Sequence, residues 1–353
     1  RLANRAIDRD DEVWEPHFTL GEIYQQTELY DESIQSFRSA ARLNPDDARI
    51  FFELGNSQFR AGLYRDARAS YETCVRLDPY YENAYYNLGI TNLAINDATR
   101  AMEAFQFAAQ VDEEDHRAYY RIGRIHLDAG RYAQATEALN RAVSLAPQMA
   151  NYNFRLAQSY YYQERLDQAE RYFAESVRLE PSNPAHNYNL GLIRLEQGKA
   201  TEALAPAQKA VSLESDNAEY HYTLGQIQEA LGQVDAALSS YVDAVSNNNE
   251  YYKALNELGR LLDDLKMYDE ALDYLLAAYR LDPDGLEVNN NLGNVYLHME
   301  LYEDAIDHYQ IAIALKPNDI LMRYGLSVAY LQTDEFARAE NSRIADQTNR
   351  QGV

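Results

Sequence analysis

The sequence predicts an all-α fold, a solenoid of about ten tandem helix-turn-helix units, and three recurrences in it predict this. A Leu-Gly pair or a close variant returns every 34 residues: Leu20-Gly21, Leu54-Gly55, Leu88-Gly89, Ile122-Gly123, Leu156-Ala157, Leu190-Gly191, Leu224-Gly225, Leu258-Gly259, Leu292-Gly293 and Leu326-Ser327. A second small residue follows twelve positions later, at Ser33, Ala67, Ala101, Ala135, Ala169, Ala203, Ala237, Ala271, Ala305 and Ala339. Four positions further on, most units carry an aromatic residue or leucine: Phe37, Tyr71, Phe105, Leu139, Phe173, Tyr241, Leu275 and Tyr309. A fixed period of about 20 to 50 residues, held in one register without gaps, marks stacked repeats that each bury their apolar face against their neighbours.

Each recurring residue has a physical task. The small residue on the first helix lets the second approach closely, alanine does the same from the other side, and the ring or leucine fills the remaining space. Between the helices, Gly62, Asn96, Gly130, Gly198 and Gly232 suit the left-handed conformation that ends a helix. Pro45, Pro79, Pro147, Pro181, Pro283 and Pro317 are placed to stop the second helix. Units therefore start at residues 14, 48, 82, 116, 150, 184, 218, 252, 286 and 320, forming one domain over 14–353. Residues 1–13 fit the second helix of a preceding unit, with Ala3 and Ala6 in the small places, so the array is expected to extend upstream. Two units depart from the pattern. In 184–217, Pro206 falls inside the second helix and Ala207 replaces the ring, which predicts a kink and a soft joint. In the last unit, Arg343 and Asp346 replace apolar residues, as suits a solvated end-cap.

Composition removes several classes of function. The net charge of −24 and pI near 4.6 disfavour nucleic acid and anionic membranes as partners. No apolar run reaches the length of a membrane span, so no insertion by this chain is expected. One cysteine, Cys74, excludes an internal disulfide and a zinc-finger cluster, and it stands where other units have small core residues. The seven histidines show no metal-ligand spacing; His17 and His126 fall at packing positions and are expected to be buried and structural. Acidic pairs such as Asp46-Asp47 and Glu113-Glu114 mark unit junctions, where carboxylates cap helices. No nucleotide-binding glycine motif and no catalytic constellation is present, so neither cofactor, metal nor enzyme activity is expected. Lysine occurs only five times, so the positive charge is almost all arginine, the residue suited to bidentate capture of carboxylates. The composition is compatible with a soluble bacterial protein of the cytoplasm or periplasm.

The 34-residue pattern resembles the tetratricopeptide repeat, and the resemblance covers all ten units from Trp14 to Val353. It implies a superhelix whose first helices line a concave groove, with ligands met by unit positions 2, 5, 6, 9, 12 and 13. The stretch RAYYRIGRIH places Arg117, Tyr120, Arg121 and Arg124 at positions 2, 5, 6 and 9 of the fourth unit, so the resemblance turns this basic face into the groove. An aromatic row follows at position 5, including Phe52, Tyr86, Tyr120, Phe154, Tyr188 and Tyr222. In the family's carboxylate-clamp class, a peptide's C-terminal carboxylate is held by lysine, two asparagines and two further basic residues. Asn56, Asn87, Arg117 and Arg121 match four of those places, while Phe52 replaces the lysine; Arg124, Arg155 and Arg49 are candidates to supply the missing charge. Asn290, Asn291 and Asn294, with Asn189 and Asn87, resemble part of the asparagine ladder in the tetratricopeptide arm of O-linked N-acetylglucosamine transferase.

The resemblance implies a non-enzymatic scaffold that binds an extended peptide or partner protein, with an acidic segment or a free C-terminus as the features to be read. A targeting arm of a larger enzyme and a homo-oligomeric assembly protein are the alternatives.

Overall fold

The computed structural model describes residues 12–81 and 83–334, and every regular element among them is an α-helix. Ala3, Ala6, Ala339, Arg343 and Asp346 lie outside the described residues. The chain divides into two compact halves, one ending at Glu180 and the other beginning at Pro181. In the first half the helices pair as α1 (Trp14–Gln26) with α2 (Tyr30–Leu43), α3 (Ala48–Arg60) with α4 (Tyr64–Leu77), α5 (Ala84–Ala94) with α6 (Ala98–Val111), α7 (His116–Asp128) with α8 (Tyr132–Leu145), and α9 (Ala150–Tyr161) with α10 (Leu166–Leu179). The second half continues with α11 (Pro184–Glu196) and α12 (Ala200–Leu213), α13 (Ala218–Ala230) and α14 (Val234–Asn247), α15 (Tyr252–Asp264) and α16 (Tyr268–Leu281), then α17 (Leu286–His298) and α18 (Tyr302–Leu315). A further helical run covers 320–334.

Local chemistry sets the turn inside each pair. Glu28, Gly62, Asn96, Gly130, Glu164, Gly198, Gly232, Lys266 and Glu300 all adopt φ between 58° and 77°. The residue after each donates its N–H five residues back, as from Leu63 to Gln58 O at 2.8 Å and from Met267 to Leu262 O at 2.9 Å. This closes the first helix with a left-handed cap. Sequence reasoning finds the glycine and asparagine members but misses Glu28, Glu164, Lys266 and Glu300, whose side chains carry no mark of that conformation. The second helices stop at the same place whether or not proline follows. Asp78 before Pro79 and Asp112 before Glu113 both turn extended, with their N–H bonded to Cys74 O and Ala108 O respectively. Proline reinforces this stop without being required for it.

The core repeats as regularly. Phe37, Tyr71, Phe105, Leu139, Phe173, Tyr241, Leu275 and Tyr309 are buried, each in its own repeat. A methyl on Gly89 would stand 2.6 Å from the Phe105 ring, and one on Gly225 would stand 2.6 Å from Tyr241. Where Ala207 replaces the ring, the same methyl on Gly191 would meet Ala207 Cβ at a looser 3.3 Å. The helix at this repeat runs unbroken from Ala200 to Leu213 through the buried Pro206. Proline cannot donate to the carbonyl of Glu202, four residues back. Arg194 Nη1 takes that place, donating to Glu202 O at 3.1 Å.

A buried polar pair joins the two helices twelve residues apart: Ser70 Oγ donates to Gln58 Oε1 and Ser240 Oγ to Gln228 Oε1, both at 2.6 Å. At the equivalent place in the third repeat the pair is Asn92 and Ala104, and Asn92 Oδ1 is buried without a partner. His126 faces the same situation, with Ala138 twelve residues on and Nδ1 buried without a partner. His17 and His126 are only half-buried, so the expectation of fully buried histidines is corrected. Cys74 is fully buried, and burial pushes its thiol up to about 12, so it is inert core material.

Two outcomes follow for stability. Lys266→Gly removes side-chain strain from a left-handed residue and is expected to stabilise the protein by about 1 kcal/mol, seen as a higher urea midpoint. Ala104→Ser supplies a donor to Asn92 Oδ1; a gain of about 1 kcal/mol is expected, and no gain with an unbonded serine would refute the pairing.

Candidate functional site

In the first half the first helices of each pair, α1, α3, α5, α7 and α9, carry the candidate groove residues. A cleft of about 540 Å³ opens there, lined by Gln25, Asn56, Phe59, Arg60, Tyr71, Asn87 and Ile90 among others. Both asparagines selected from sequence therefore border open space, but their amides are already engaged. Asn56 Oδ1 accepts from the Tyr71 hydroxyl at 2.6 Å and from Asn87 Nδ2 at 3.0 Å. Asn56 Nδ2 donates to Glu53 Oε2 at 3.1 Å, and Gln25 Nε2 donates to the same oxygen at 3.2 Å. The protein's own carboxylate thus sits on the amide donors that a ligand carboxylate would need. Sequence reasoning did not select Glu53, Gln25 and Arg60, although they stand at positions 6, 12 and 13 of their units.

The arginines divide into held and open ones. Arg117 extends from α7 back to Asp115, the residue that caps the helix: Asp115 Oδ1 accepts from Arg117 N at 3.0 Å and from Nε at 2.8 Å. Arg117 Nη2 also donates to Asn83 Oδ1 at 2.6 Å, and the guanidinium lies 4.7 Å from the centre of the Tyr86 ring. The bond to Asp115 raises the Arg117 pKa further above its ordinary value. Arg49 repeats the arrangement on Asp47, which its guanidinium holds below the usual carboxylate range. Arg60, Arg121, Arg124 and Arg155 have no carboxylate partner among the described residues. Arg121 Nε reaches only the Tyr86 hydroxyl, at 3.4 Å. Arg155 Nη1 donates to Gln158 Oε1 at 2.9 Å, while its Nε is buried with no partner.

The aromatic row is more structural than its spacing suggests. Phe52 packs on Tyr71 at 5.9 Å between ring centres, Tyr86 on Phe105 at 5.6 Å and Phe154 on Phe173 at 5.5 Å. Each such ring closes the core of its own repeat, and Phe154 is buried. Tyr120 stacks on Tyr152 at 4.3 Å, and the Tyr152 hydroxyl, within 2.8 Å of His116 Nδ1, is pushed up to about 12 by burial. Phe52, Tyr86 and Tyr120 stay half-buried.

In the second half the sequence-selected residues are largely bonded within the protein. Tyr188 donates to Glu219 Oε1 at 2.9 Å, Asn189 Nδ2 turns back to Ala185 O at 2.8 Å, and the Tyr222 hydroxyl accepts from Gln226 at 3.0 Å. Asn291 Nδ2 donates to Asn256 Oδ1 at 3.0 Å, and Asn294 Oδ1 accepts from Tyr309 at 2.7 Å. Asn290 is half-buried and makes no hydrogen bond among the described residues. Asn289 ties the preceding turn to α17 through Pro283 O and Gly285 O, both at 2.8 Å, and its Oδ1 accepts from His308 Nδ1 at 2.8 Å. The partial asparagine ladder is therefore mostly a set of internal fastenings.

No cluster of histidine, cysteine and carboxylates able to hold a metal ion occurs among the described residues. Among the same residues no helix is long and apolar enough to cross a membrane.

With this geometry in place, the comparisons decide the class. Models described as tetratricopeptide repeat match residues 18–82, 52–110, 86–150, 154–220, 222–285 and 287–319. The chain belongs to the tetratricopeptide repeat family, whose members are in general protein–protein interaction scaffolds without catalysis. No curated protein sequence matches it significantly. Among solved structures, the anaphase-promoting complex hetero-tetramer Cut9–Hcn1 is similar over 93% of this chain and 92% of that one, at 14% identity and TM-score 0.52. PilF of Pseudomonas aeruginosa is similar over 59% of this chain and 94% of its own, at 17% identity and TM-score 0.50. YrrB, described as a tetratricopeptide repeat protein with an unusual peptide-binding site, covers 51% of this chain and 93% of its own at 23% identity and TM-score 0.47. At these identities the likeness to the first two, with TM-scores of 0.52 and 0.50, shows the fold alone.

Burial holds the His308 imidazole neutral by lowering its pKa below the ordinary value, more strongly than Asp304 and Asp307 raise it. Because the unfolded chain takes up that proton first, stability is expected to fall as pH drops through about 6.5 toward the lower folded value. His308→Gln should flatten this slope in thermal melts between pH 7.5 and 5.5; an unchanged slope would assign the pH dependence elsewhere.

Proposed function

We propose that this protein is a non-enzymatic scaffold that binds an extended segment of a partner protein along the first helices of its first half. The site runs from the cleft at Asn56, Asn87 and Arg60 to Arg121 and Arg124 on α7 and Arg155 on α9. One observation carries the reading: these arginines lack carboxylate partners in a chain with 56 acidic residues. Arg260, by contrast, is bonded to Glu229, Glu257 and Asp264. Arg121, Arg124 and Arg155 are half-buried and hold their charge at a surface of reduced polarity, where an incoming partner gains more than at an open surface. The half-buried Phe52, Tyr86 and Tyr120 supply apolar contact beside them.

Selection from a random peptide display library on the whole protein tests the reading. Enriched peptides are expected to bind the wild type and to weaken at least about tenfold on Arg121→Glu/Arg155→Glu. A selection that enriches nothing, or peptides indifferent to both substitutions, would sink it.

A further inference from the structure

Resting on that groove, we infer that its ligand is read through carboxylates carried within the partner chain, and not through a C-terminal carboxylate. The sequence leaves both possibilities open, because Asn56, Asn87, Arg117 and Arg121 stand at the spacing of a terminal-carboxylate clamp. The side chains decide between them. A terminal carboxylate needs convergent amide and guanidinium donors with nothing already bonded to them. Here Glu53 Oε2 occupies the donors of Asn56 and Gln25, and Asn87 Nδ2 is turned onto Asn56 Oδ1. Arg117 is fastened to Asp115, itself buried, and to Asn83. Moving a ligand carboxylate into that position would set it against Glu53 and would require these existing bonds to break.

The open donors lie one step further along. Arg121 and Arg124 share the groove face of α7 one turn apart, and α9, which touches α7, brings Arg155. The two helices of such a contact are separated by about 8–10 Å, and an extended ligand presents alternate side chains on one face about 7 Å apart. Two acidic side chains two residues apart, or a short run of alternating acidic residues, therefore span Arg121 or Arg124 and Arg155. Arg155 keeps Nη1 on the neutral Gln158 amide and its buried Nε without a partner, so its charge is not neutralised within the protein. The free α-carboxyl of the ligand has no role in this arrangement.

Fluorescence anisotropy with the full chain separates the cases, using (Glu-Ser)6 with an amidated C-terminus, the same peptide with a free C-terminus, and amidated (Gln-Ser)6. The two acidic peptides are expected to bind within about twofold of each other, more weakly as salt rises, and the glutamine peptide at least about tenfold more weakly. Arg121→Gln/Arg124→Gln and Arg155→Gln should each weaken the acidic peptides, while Arg117→Gln leaves them nearly unchanged. Dependence on a free C-terminus, equal binding of the glutamine peptide, or no binding of (Glu-Ser)6 overturns the inference. If displayed peptides still bind and depend on Arg121 and Arg155, the groove stands and only its acidic specificity falls. A dimer in sedimentation that dissociates on Arg121→Gln/Arg124→Gln, with no binding of the acidic peptides, also overturns it by placing a second copy on this face.

Discussion

Everything in this structure depends on how closely the two helices of a repeat approach at one point. Glycine on the first helix removes the only atom that would obstruct the ring or leucine of the second, as the distances at Gly89 and Gly225 show. Once the ring is seated, the position-5 side chain of the first helix packs on it, as Phe52 does on Tyr71 and Phe154 on Phe173. The position-5 row and the core of the repeat are therefore the same contact. A change in the core ring reaches the position-5 row through one layer of atoms.

The same economy governs the polar groups. Buried amides and hydroxyls in this chain find each other at fixed offsets, such as Ser70 with Gln58, Tyr71 with Asn56 and Tyr309 with Asn294. An unpaired buried polar group is costly, so the amides that border the groove are recruited inward first. Among the described residues of the first half, the buried side-chain groups left without a partner are Asn92 Oδ1, His126 Nδ1 and Arg155 Nε. At Arg260, by contrast, three carboxylates of the protein itself surround one guanidinium.

Pro206 illustrates how a local fault is absorbed. Losing one backbone donor in a helix exposes a carbonyl, and Arg194 from the paired helix fills the vacancy at Glu202. The alanine at 207 lowers the need for glycine at 191, because no ring presses on it. Sequence pattern alone reads both residues as defects; the paired helix converts them into a variant of the same packing.

Period, helix count, turn positions and the core residues were legible in the amino-acid sequence, because a repeated contact leaves a repeated residue. Gly62 and Tyr71 could be assigned before any coordinate was known. The left-handed turns at Glu28, Glu164, Lys266 and Glu300 were not legible, since the neighbouring helices impose that conformation on residues without a preference for it. The site was only partly visible. Spacing brought Asn56, Asn87, Arg117 and Arg121 onto one face, but a side chain's availability depends on what lies next to it across 30 or so positions of chain, as Asn87 does beside Asn56 and Asn83 beside Arg117. Residue type and period decide which face a group occupies. Only the tertiary arrangement decides whether its hydrogen bonds are already made, because those partners come from other repeats and carry no common motif.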